Sequence, residues 1–381
     1  QACEPSPSRR NRECSVPSTR TGAIPLSVME TLKRSASVLS LSVEAFSTDS
    51  AAEWDAFARS CPGWTPYHTH GWRQVVESVH GHPCEYLGAR DQDGALRGVL
   101  PLCRVKSPVF GHYLVSVPFA NYGGPLGSPE AVRALVARAV QRADETGADL
   151  LELRSSHELP VELEPSHRKI TVLLDLPEGD PEPLWKGLKA KVRSQVRRPM
   201  KEGVEVRFGA DQLDAFYRVF SRHMRDLGTP VQPPALFRKA LDVFDRGIWF
   251  GVAYLGESPV AAGCGFRWAD RFELVWASSL REHSRTAPNM LLYWRFMEEC
   301  IGDGAAVFDF GRCTPGGGTH RFKGQWGGRD EALWWYQHGP KAGGGTPSPD
   351  SGPFALAVRA WQRLPVPLAN AIGPRIVRYI P

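Results

Sequence analysis

Lys323 is the residue whose setting in the sequence most suggests chemistry. It lies in the string HRFKGQWGG (residues 320–328), just after three consecutive glycines at 316–318. Glycine and tryptophan around a lysine favour a shaped loop, and a solvated loop lysine is the structural alternative. A fixed cation can stabilise the oxyanion that develops when an amine attacks an acyl carbonyl. That reaction also needs a neutral amine and a polarised carbonyl, but no covalent nucleophile.

Asp309 and Arg312 lie on a predicted strand, FDFGR (308–312). Side chains alternate along a strand, so Asp309 points away from Phe308 and Phe310 and makes one face of the strand polar. Asp309 is the candidate general base and Arg312 a candidate substrate contact, whereas a buried ion pair is the structural alternative. The D-F-G triplet also occurs in protein kinases, but the glycine-rich loop, the lysine strand and the H-R-D loop of kinases are absent from this sequence.

Basic residues are concentrated in the stretch 186–207. Arg193 and Arg197 are four residues apart and therefore share one face of a predicted helix. Such a face suits the phosphate groups of a nucleotide-linked precursor, a lipid-linked precursor or tRNA, and a solvated surface is the structural alternative. Pro199 is expected to end or kink this helix. The basic residues are Lys186, Lys189, Lys191, Arg193, Arg197, Arg198, Lys201 and Arg207.

Two further groups of residues are candidate substrate contacts. Asn121, Tyr122 and Gly123 follow a predicted strand and open a loop, and ligands of open α/β sheets commonly bind at strand ends. A tight structural turn is the alternative for this loop. Asn289 opens a predicted helix after Pro288, where a helix-capping role competes with a substrate contact.

Several function classes have no support in the sequence. The G-x-S-x-G elbow of serine hydrolases, the H-E-x-x-H zinc motif and the P-loop are all missing. The eight cysteines are scattered without a C-x-x-C pair, which argues against a structural zinc site. No stretch approaches the ~20 apolar residues of a membrane span, so a cytoplasmic location is expected. The net charge of +5 fits an anionic partner as well as an ordinary soluble protein.

The elements that would position these residues form an internal repeat. Each unit reads as a hairpin, a strand, a loop, a helix and a further strand that ends in an arginine, Arg154 or Arg312. Two copies of one α/β unit with mixed sheets explain the length of 381 residues better than one large domain does. The first unit comprises residues 85–103, 113–119, 129–146 and 148–154, and the second comprises residues 248–268, 272–278, 288–302 and 305–312.

This arrangement resembles a tandem pair of GNAT acyltransferase folds, as in the FemAB-like proteins. The resemblance covers residues 50–340 and is closest to the FemAB-related subgroup associated with exosortase/PEP-CTERM exopolysaccharide systems, with a BioF2-like acetyltransferase domain. The strings that carry it are TPYHTHGWRQVV (65–76), GHPCEYLGA (81–89), KSPVFGHYLVSVPFANYGGPL (106–126), KVRSQVRRPMKEGVEVR (191–207), LGTPV (227–231), PNMLLYW (288–294), FDFGR (308–312) and FKGQWG (322–327).

The resemblance implies an N-acyl or aminoacyl transferase that forms an amide on a peptidoglycan or exopolysaccharide precursor. The lysine that corresponds to Lys323 is thought to stabilise the transition state in FemAB-like ligases. An acyl-CoA-dependent sugar N-acyltransferase and a non-catalytic binding protein of a polysaccharide assembly system are the alternatives. The Q/R-x-x-G-x-G/A loop that cradles the coenzyme A pyrophosphate is missing, because GCGFRW (263–268) lies within a predicted hairpin. The donor therefore stays open between acyl-CoA and aminoacyl-tRNA.

The domain organisation follows from the repeat and from composition. We predict a disordered tail at 1–40, a first GNAT-like lobe at 41–180, a second lobe at 181–339 and a linker at 340–353. The basic segment 354–381 either packs against the main body of the protein or lies on the inner surface of a membrane. The expected partners are a nucleotide- or lipid-linked envelope precursor and tRNA.

Overall fold

The structure, a computed structural model, describes residues 41–343 and 352–380. The predicted tail at 1–40 and most of the predicted linker lie outside the described residues. The strands are β1 (Ser42–Ala45), β2 (Cys84–Arg90), β3 (Leu96–Ser107), β4 (Gly111–Val115), β5 (Leu126–Gly127), β6 (Leu150–Ser155), β7 (Pro165–Ser166), β8 (Ile170–Asp175), β9 (Val204–Phe208), β10 (Ile248–Leu255), β11 (Ser258–Trp268), β12 (Arg271–Ser279), β13 (Val307–Cys313), β14 (Arg329–Ala332) and β15 (Trp334–His338).

Eleven α-helices accompany these strands within the described residues. They are α1 (Ala51–Ser60), α2 (His70–His80), α3 (Pro129–Thr146), α4 (Glu182–Gly187), α5 (Ala190–Lys201), α6 (Leu213–Leu227), α7 (Pro234–Phe244), α8 (Pro288–Gly302), α9 (Gly318–Gly324), α10 (Gly352–Gln362) and α11 (Val366–Val377). The predicted basic helix is α5, which ends at Lys201, two residues after Pro199. Pro199 therefore lies inside the last turn of α5, and the helix ends two residues beyond the position at which the sequence predicts an end or a kink.

The two mixed sheets confirm the predicted α/β fold and the repeat. The first sheet has the order β1-β2-β3-β4-β6-β15-β7, with β5 paired to β3, and the second has the order β9-β10-β11-β12-β13-β8-β14. In each sheet an antiparallel hairpin is followed by a third strand, and that strand pairs in parallel with the strand after the helix. Helices α3 and α8 make the two equivalent crossovers.

The sheets exchange strands between the two halves of the chain. Strand β15, from the end of the second half, inserts beside β6 in the first sheet. Strand β8, from the end of the first half, inserts beside β13 in the second sheet. The predicted lobe boundaries at residues 180 and 339 therefore do not coincide with the division between the sheets.

One predicted strand is shorter than expected. The sequence predicts a strand at 113–119, but β4 ends at Val115. Val117 and Phe119 adopt positive φ values of 65° and 66°, which a strand does not accommodate. The chain turns there, and the loop that carries Asn121 and Tyr122 follows.

Three buried hydrophobic clusters hold the molecule together. One lies between α3 and the first sheet, and another lies between α5, α8 and the second sheet. The third joins the two halves: the ring of Phe266 in β11 contacts Trp72 and Tyr67 from the first half, with ring centroids 5.7 and 5.4 Å apart. Burial of large aromatic side chains is strongly stabilising, so the two lobes share one core.

Candidate active site

The parallel strands β12 and β13 separate at the centre of the second sheet. They pair only through residues 271–273 and 307–309, although both continue beyond this region. Glu273 and Asp309 face each other at the last paired position. Beyond it, no strand within residues 41–343 and 352–380 pairs with the edge of β12 that faces β13, so the backbone groups of that edge line an opening in the sheet.

The two carboxylates at this point are completely buried and are held by the first lobe. The Tyr67 hydroxyl donates to Glu273 at 2.7 Å, and the Asn121 amide donates to its other oxygen at 2.6 Å. Asp309 accepts from the Tyr122 hydroxyl and from Thr171, both at 2.5 Å. Hydrogen bonds to buried charged groups are among the strongest in proteins, so this cluster links the lobes directly.

Burial dominates the electrostatics of the cluster. Removal from water, together with the neighbouring Asp309 charge, raises the pKa of Glu273 from 4.5 to about 7. Burial also raises the pKa of Tyr67 and Tyr122 well above the usual value, so both remain hydroxyl donors. A carboxyl group in this setting holds a proton up to neutral pH.

Lys323 of α9 is buried against β13. Only 4% of its surface is exposed, and its ammonium group donates to the carbonyl oxygens of Gly311 and Arg312 at 2.6 and 3.0 Å. Burial lowers the pKa of Lys323. The structure thus excludes a solvated loop lysine and leaves one ammonium hydrogen available to another acceptor.

A cavity of about 320 Å³ opens between the end of β12, the start of α8 and α9. His223 of α6 closes one side, and its Nδ1 lies 3.0 Å from the carbonyl oxygen of Ser279. Burial lowers the pKa of His223 below 6.5, so the ring is neutral at physiological pH. The cavity is lined by His223, Ala277, Ser278, Ser279, Asn289, Leu292, Tyr293, Gly318, Thr319 and Phe322.

The loop that leads into α8 is the place where a glycine-rich motif would hold an anion at the helix N-terminus. It runs from residue 280 to 287 and contains no glycine. Ala287 precedes the helix with a φ of 56°, a conformation that glycine adopts more easily. The sequence lacks the glycine-rich motif, and in the structure an alanine occupies this strained position before the helix.

The structure brings most of the predicted site residues together. Asn121, Tyr122, Asp309, Arg312 and Lys323 surround β13. Their assignment to catalysis or substrate binding stays a prediction, because three donors already occupy the carboxylate of Asp309. Arg312 is exposed and lies over the ring of Trp335, 4.9 Å from its centroid.

Three predicted substrate contacts do not reach the carboxylate cluster. Two are arginines on α5, and the third is a glycine that packs against neighbouring backbone. Arg193 donates to the carbonyl oxygens of Lys186 and Leu188, and Arg197 lies over the ring of Trp185. Both are therefore engaged at the surface of α5, away from the carboxylate cluster. Gly123 packs against the backbone of Ser116, where a Cβ would lie only 2.7 Å from the carbonyl oxygen.

A second cavity of about 320 Å³ lies between the lobes on the opposite side of the cluster. Tyr122 and Thr171 reach it from the cluster, and its lining carries two arginines, Arg271 and Arg329, and two carboxylates, Asp270 and Glu331. Its remaining lining residues are Gly63, Trp64, Thr65, Ser156, Leu173, Trp268, Ala269 and Leu333. This cavity can accept a polar group that approaches between the lobes.

Sequence reasoning missed Tyr67, Glu273 and His223. Glu273 had a usable signal, because it is the one acidic residue in the apolar run Phe272–Trp276. His223 had none, because its place depends on how α6 packs against the end of β12.

Comparisons with known proteins place this geometry in context. Residues 188–324 match the family model described as "Acetyltransferase (GNAT) domain". No protein of curated function matches the sequence. The FemX crystal structure has 15% sequence identity and a TM-score of 0.58, and the alignment covers 77% of this chain and 97% of that chain.

Two further structures share the fold. The C-terminal domain of a putative lysylphosphatidylglycerol synthetase from Agrobacterium fabrum has 12% identity and a TM-score of 0.53, with 75% of this chain and 89% of that chain covered. L-PGS from Bacillus licheniformis has 11% identity and a TM-score of 0.51, with 84% and 99% covered. Among the described helices, none is long and apolar enough to span a membrane. Residues 188–324 thus match a GNAT acetyltransferase domain, and the chain shares the fold of FemX and of the two synthetase structures.

Proposed function

We propose that the chain transfers an N-acyl or aminoacyl group to an amine of a peptidoglycan or exopolysaccharide precursor. The observation that carries this proposal is the cleft at the end of β12, where unpaired backbone groups, a neutral histidine and a helix N-terminus converge. These are the parts that amide formation requires, namely a polarised carbonyl, a proton acceptor and a place for a donor.

The acyl carbonyl binds along the open edge of β12. Backbone N–H groups beyond Glu273 polarise it, because no strand of the sheet competes for them. The N-terminus of α8, which begins at Pro288, favours a negatively charged part of the donor at the mouth of the cleft. Tyr293 and Phe322 supply an apolar wall for the acyl chain.

His223 acts as the general base. The Ser279 carbonyl oxygen can only accept a hydrogen bond, so the proton of the neutral ring is on Nδ1. Nε2 is then an unprotonated acceptor, and it has no hydrogen-bond partner within residues 41–343 and 352–380. The ring lines the cleft, so Nε2 can take a proton from an incoming amine.

The reaction proceeds in two steps. The amine nitrogen forms a bond to the acyl carbon, and its proton passes to Nε2 of His223 while the carbonyl oxygen becomes an oxyanion. Backbone donors of β12 and the ammonium group of Lys323 stabilise that charge. The oxyanion then collapses, the bond to the leaving oxygen or sulfur breaks, and the imidazolium returns its proton to the leaving group.

The acceptor and donor classes are supported from outside the site. The motifs in the sequence resemble FemAB-like proteins, and a protein named as a lysylphosphatidylglycerol synthetase shares the fold. The match to an acetyltransferase family favours the second candidate, an acyl-CoA-dependent sugar N-acyltransferase. The two candidates use the same cleft and differ in the donor.

A donor-by-acceptor assay tests the proposal. The purified protein is incubated with acyl-CoAs or aminoacyl-tRNA and with UDP-linked muropeptides or amino sugars, and amide products are identified by mass spectrometry. His223→Gln should lower kcat about 10²- to 10⁴-fold, since a positioned general base contributes that much. In the wild type, kcat should fall only below pH 6.5, where His223 becomes protonated.

His338→Gln is the matched control, because His338 is partly exposed and pairs with Asp144 far from the cleft. It should leave kcat unchanged. Full activity of His223→Gln under conditions where chemistry limits the rate would reject His223 as the base. Absence of any amide product across all donors and acceptors would favour the non-catalytic alternative.

A further inference from the structure

The two C-terminal helices carry a face that no other described element covers. Helix α10 packs on the end of α6, where Val358 contacts Gly228 and the carbonyl oxygen of Leu364 accepts from Arg225 at 2.8 Å. Helix α11 packs alongside, since Gly373 fits against the backbone of Val231. Both helices therefore have one face toward the body of the protein and one toward solvent.

The outer faces combine leucine with arginine. In α10, Leu356 and Arg359 are exposed and are spaced i and i+3, which places them on one side of the helix, and Arg363 is exposed directly after the end of the helix. In α11, Leu368 and Arg375 are exposed at a spacing of seven residues and share a face in the same way. The buried residues of α11, Ala369, Gly373 and Val377, follow the other face.

The exposed apolar side chains of the protein concentrate in this region. Leu356 is 71% exposed, Leu368 44% and Ile380 38%, and Leu227 at the end of α6 is 46% exposed. Of the six large apolar residues that are exposed in the described parts of the chain, only Val109 and Met200 lie elsewhere. A concentration of exposed leucine and isoleucine is typical of an interaction surface.

The charge of residues 352–380 indicates which kind of partner this face binds. Residues 352–380 contain Arg359, Arg363, Arg375 and Arg378 and no acidic residue or lysine. Arginines that flank exposed leucines match a surface with an apolar layer beneath negative headgroups. A nucleic acid would use the arginines but would leave the leucines in contact with water.

A groove of about 510 Å³ lies between α6 and α11 on this side of the molecule. Arg218, Arg222 and Arg225 project from successive turns of α6 into it, opposite Asn370. Arg222 pairs with Glu282 and Arg225 pairs with Asp226, whereas Arg218 forms no ion pair within the described residues. An arginine-lined groove beside an apolar face can hold a phosphate headgroup.

We propose that the outer face of α10 and α11 docks on an anionic phospholipid bilayer, with a lipid phosphate in the groove beside α11. The helices lie on the bilayer surface. Docking would bring the acyltransferase to lipid-linked acceptors, but the proposal rests on the surface alone and does not depend on the catalytic assignment.

Vesicle co-sedimentation of the full chain tests this proposal. The wild type should sediment with phosphatidylglycerol–phosphatidylcholine vesicles and remain in the supernatant with phosphatidylcholine alone. Arg359→Glu/Arg363→Glu should weaken binding at least about tenfold, because each basic residue near the surface contributes attraction. Leu356→Ser/Leu368→Ser should weaken it as well, whereas both variants should keep the thermal unfolding temperature of the wild type.

Two control variants test whether binding depends on this face, and not on surface charge or exposed apolar side chains anywhere on the protein. Arg104→Glu/Lys106→Glu removes two exposed charges from β3, and Val109→Ser removes an 82% exposed apolar residue. Both controls should bind like the wild type. Equal binding to neutral vesicles, no binding to anionic vesicles, or a loss of tRNA binding without a loss of vesicle binding in the arginine variant would each overturn the proposal.

Discussion

Glu273 and Asp309 are the clearest example of single residues that organise this protein. They face each other at the last paired position of β12 and β13, and each accepts a hydrogen bond from a tyrosine of the first lobe. Buried carboxylates without such donors would be strongly destabilising. The residues at the branching point of the second sheet are therefore satisfied only when both lobes are in place.

Substitution can separate the role of the Lys323 ammonium group from the roles of the neighbouring residues. Lys323→Met keeps the length and apolar stem of the side chain but removes the ammonium group, so we expect kcat to fall about 10²-fold or more. The affinity for the donor should change little, because the cleft walls remain. Steady-state kinetics and donor binding by calorimetry measure the two effects.

Lys169→Met is the control, since Lys169 also lies near β13 and donates to Thr314 at 2.7 Å. Its kcat should remain near that of the wild type. A Lys323→Met variant that lost stability and donor affinity together would indicate that the lysine only ties α9 to the carbonyl groups of Gly311 and Arg312.

At the scale of elements, the strands that end in Arg154 and Arg312 match each other in the two repeat units, except for one inserted residue in β13. Arg154 lies opposite Trp335 in the first sheet, and Arg312 lies opposite Thr171 in the second. The register of β13 shifts between Asp309 and Arg312, and this bulge keeps the two arginines equivalent. Both guanidinium groups lie within 5 Å of the Trp335 ring, at 4.7 and 4.9 Å.

The bulge depends on Gly311, whose φ is 72°. Gly311→Ala should lower the free energy of unfolding by about 1–2 kcal/mol, because a Cβ is strained in this conformation. Its Cβ would also lie 3.3 Å from the carbonyl oxygen of Leu274. Since the Gly311 carbonyl holds Lys323, acyltransferase activity should fall as well.

Gly304→Ala is the matched control for this substitution. Gly304 has a φ of 77°, and a Cβ there would meet no atom within 4 Å. Urea unfolding should show a similar loss of stability for both variants, but activity should fall only for Gly311→Ala. Equal activity of the two variants would mean that the bulge does not position the site.

The sequence was sufficient to predict the elements but not their exchange. Local patterns predict the helices at 129–146 and 288–302, which the structure confirms. The partners of β8 and β15 are set by long-range pairing, which leaves no local pattern in either strand. For the same reason the sequence indicated Asp309 and Tyr122 separately, whereas their hydrogen bond became apparent only in the folded chain.

At the scale of the whole molecule, the buried cluster makes stability depend on pH. The pKa of Glu273 is raised on folding, so its contribution is fully present at low pH and is lost as pH rises toward and beyond 7. Glu273→Gln mimics the protonated form. The wild type should therefore lose thermal stability relative to this variant between pH 5 and pH 8, in a series of melting curves.

Glu85→Gln is a suitable control, because Glu85 is partly exposed and pairs with Arg142. Its melting temperature should follow the wild type across the same range. A constant difference between Glu273→Gln and the wild type at every pH would show that Glu273 does not change its protonation in this interval. Buried histidines such as His68, whose pKa is lowered by burial, affect both proteins equally.

The strand exchange has a consequence for the order in which the protein is made. The first sheet receives β15, which ends at His338, so its core cannot close until nearly the whole described chain has left the ribosome. Until β15 is synthesised, the edge of β6 in the first half of the chain is uncovered, and exposed strand edges tend to associate with other chains. A chain that terminates before β15 would therefore keep the edge of β6 uncovered and be prone to aggregation.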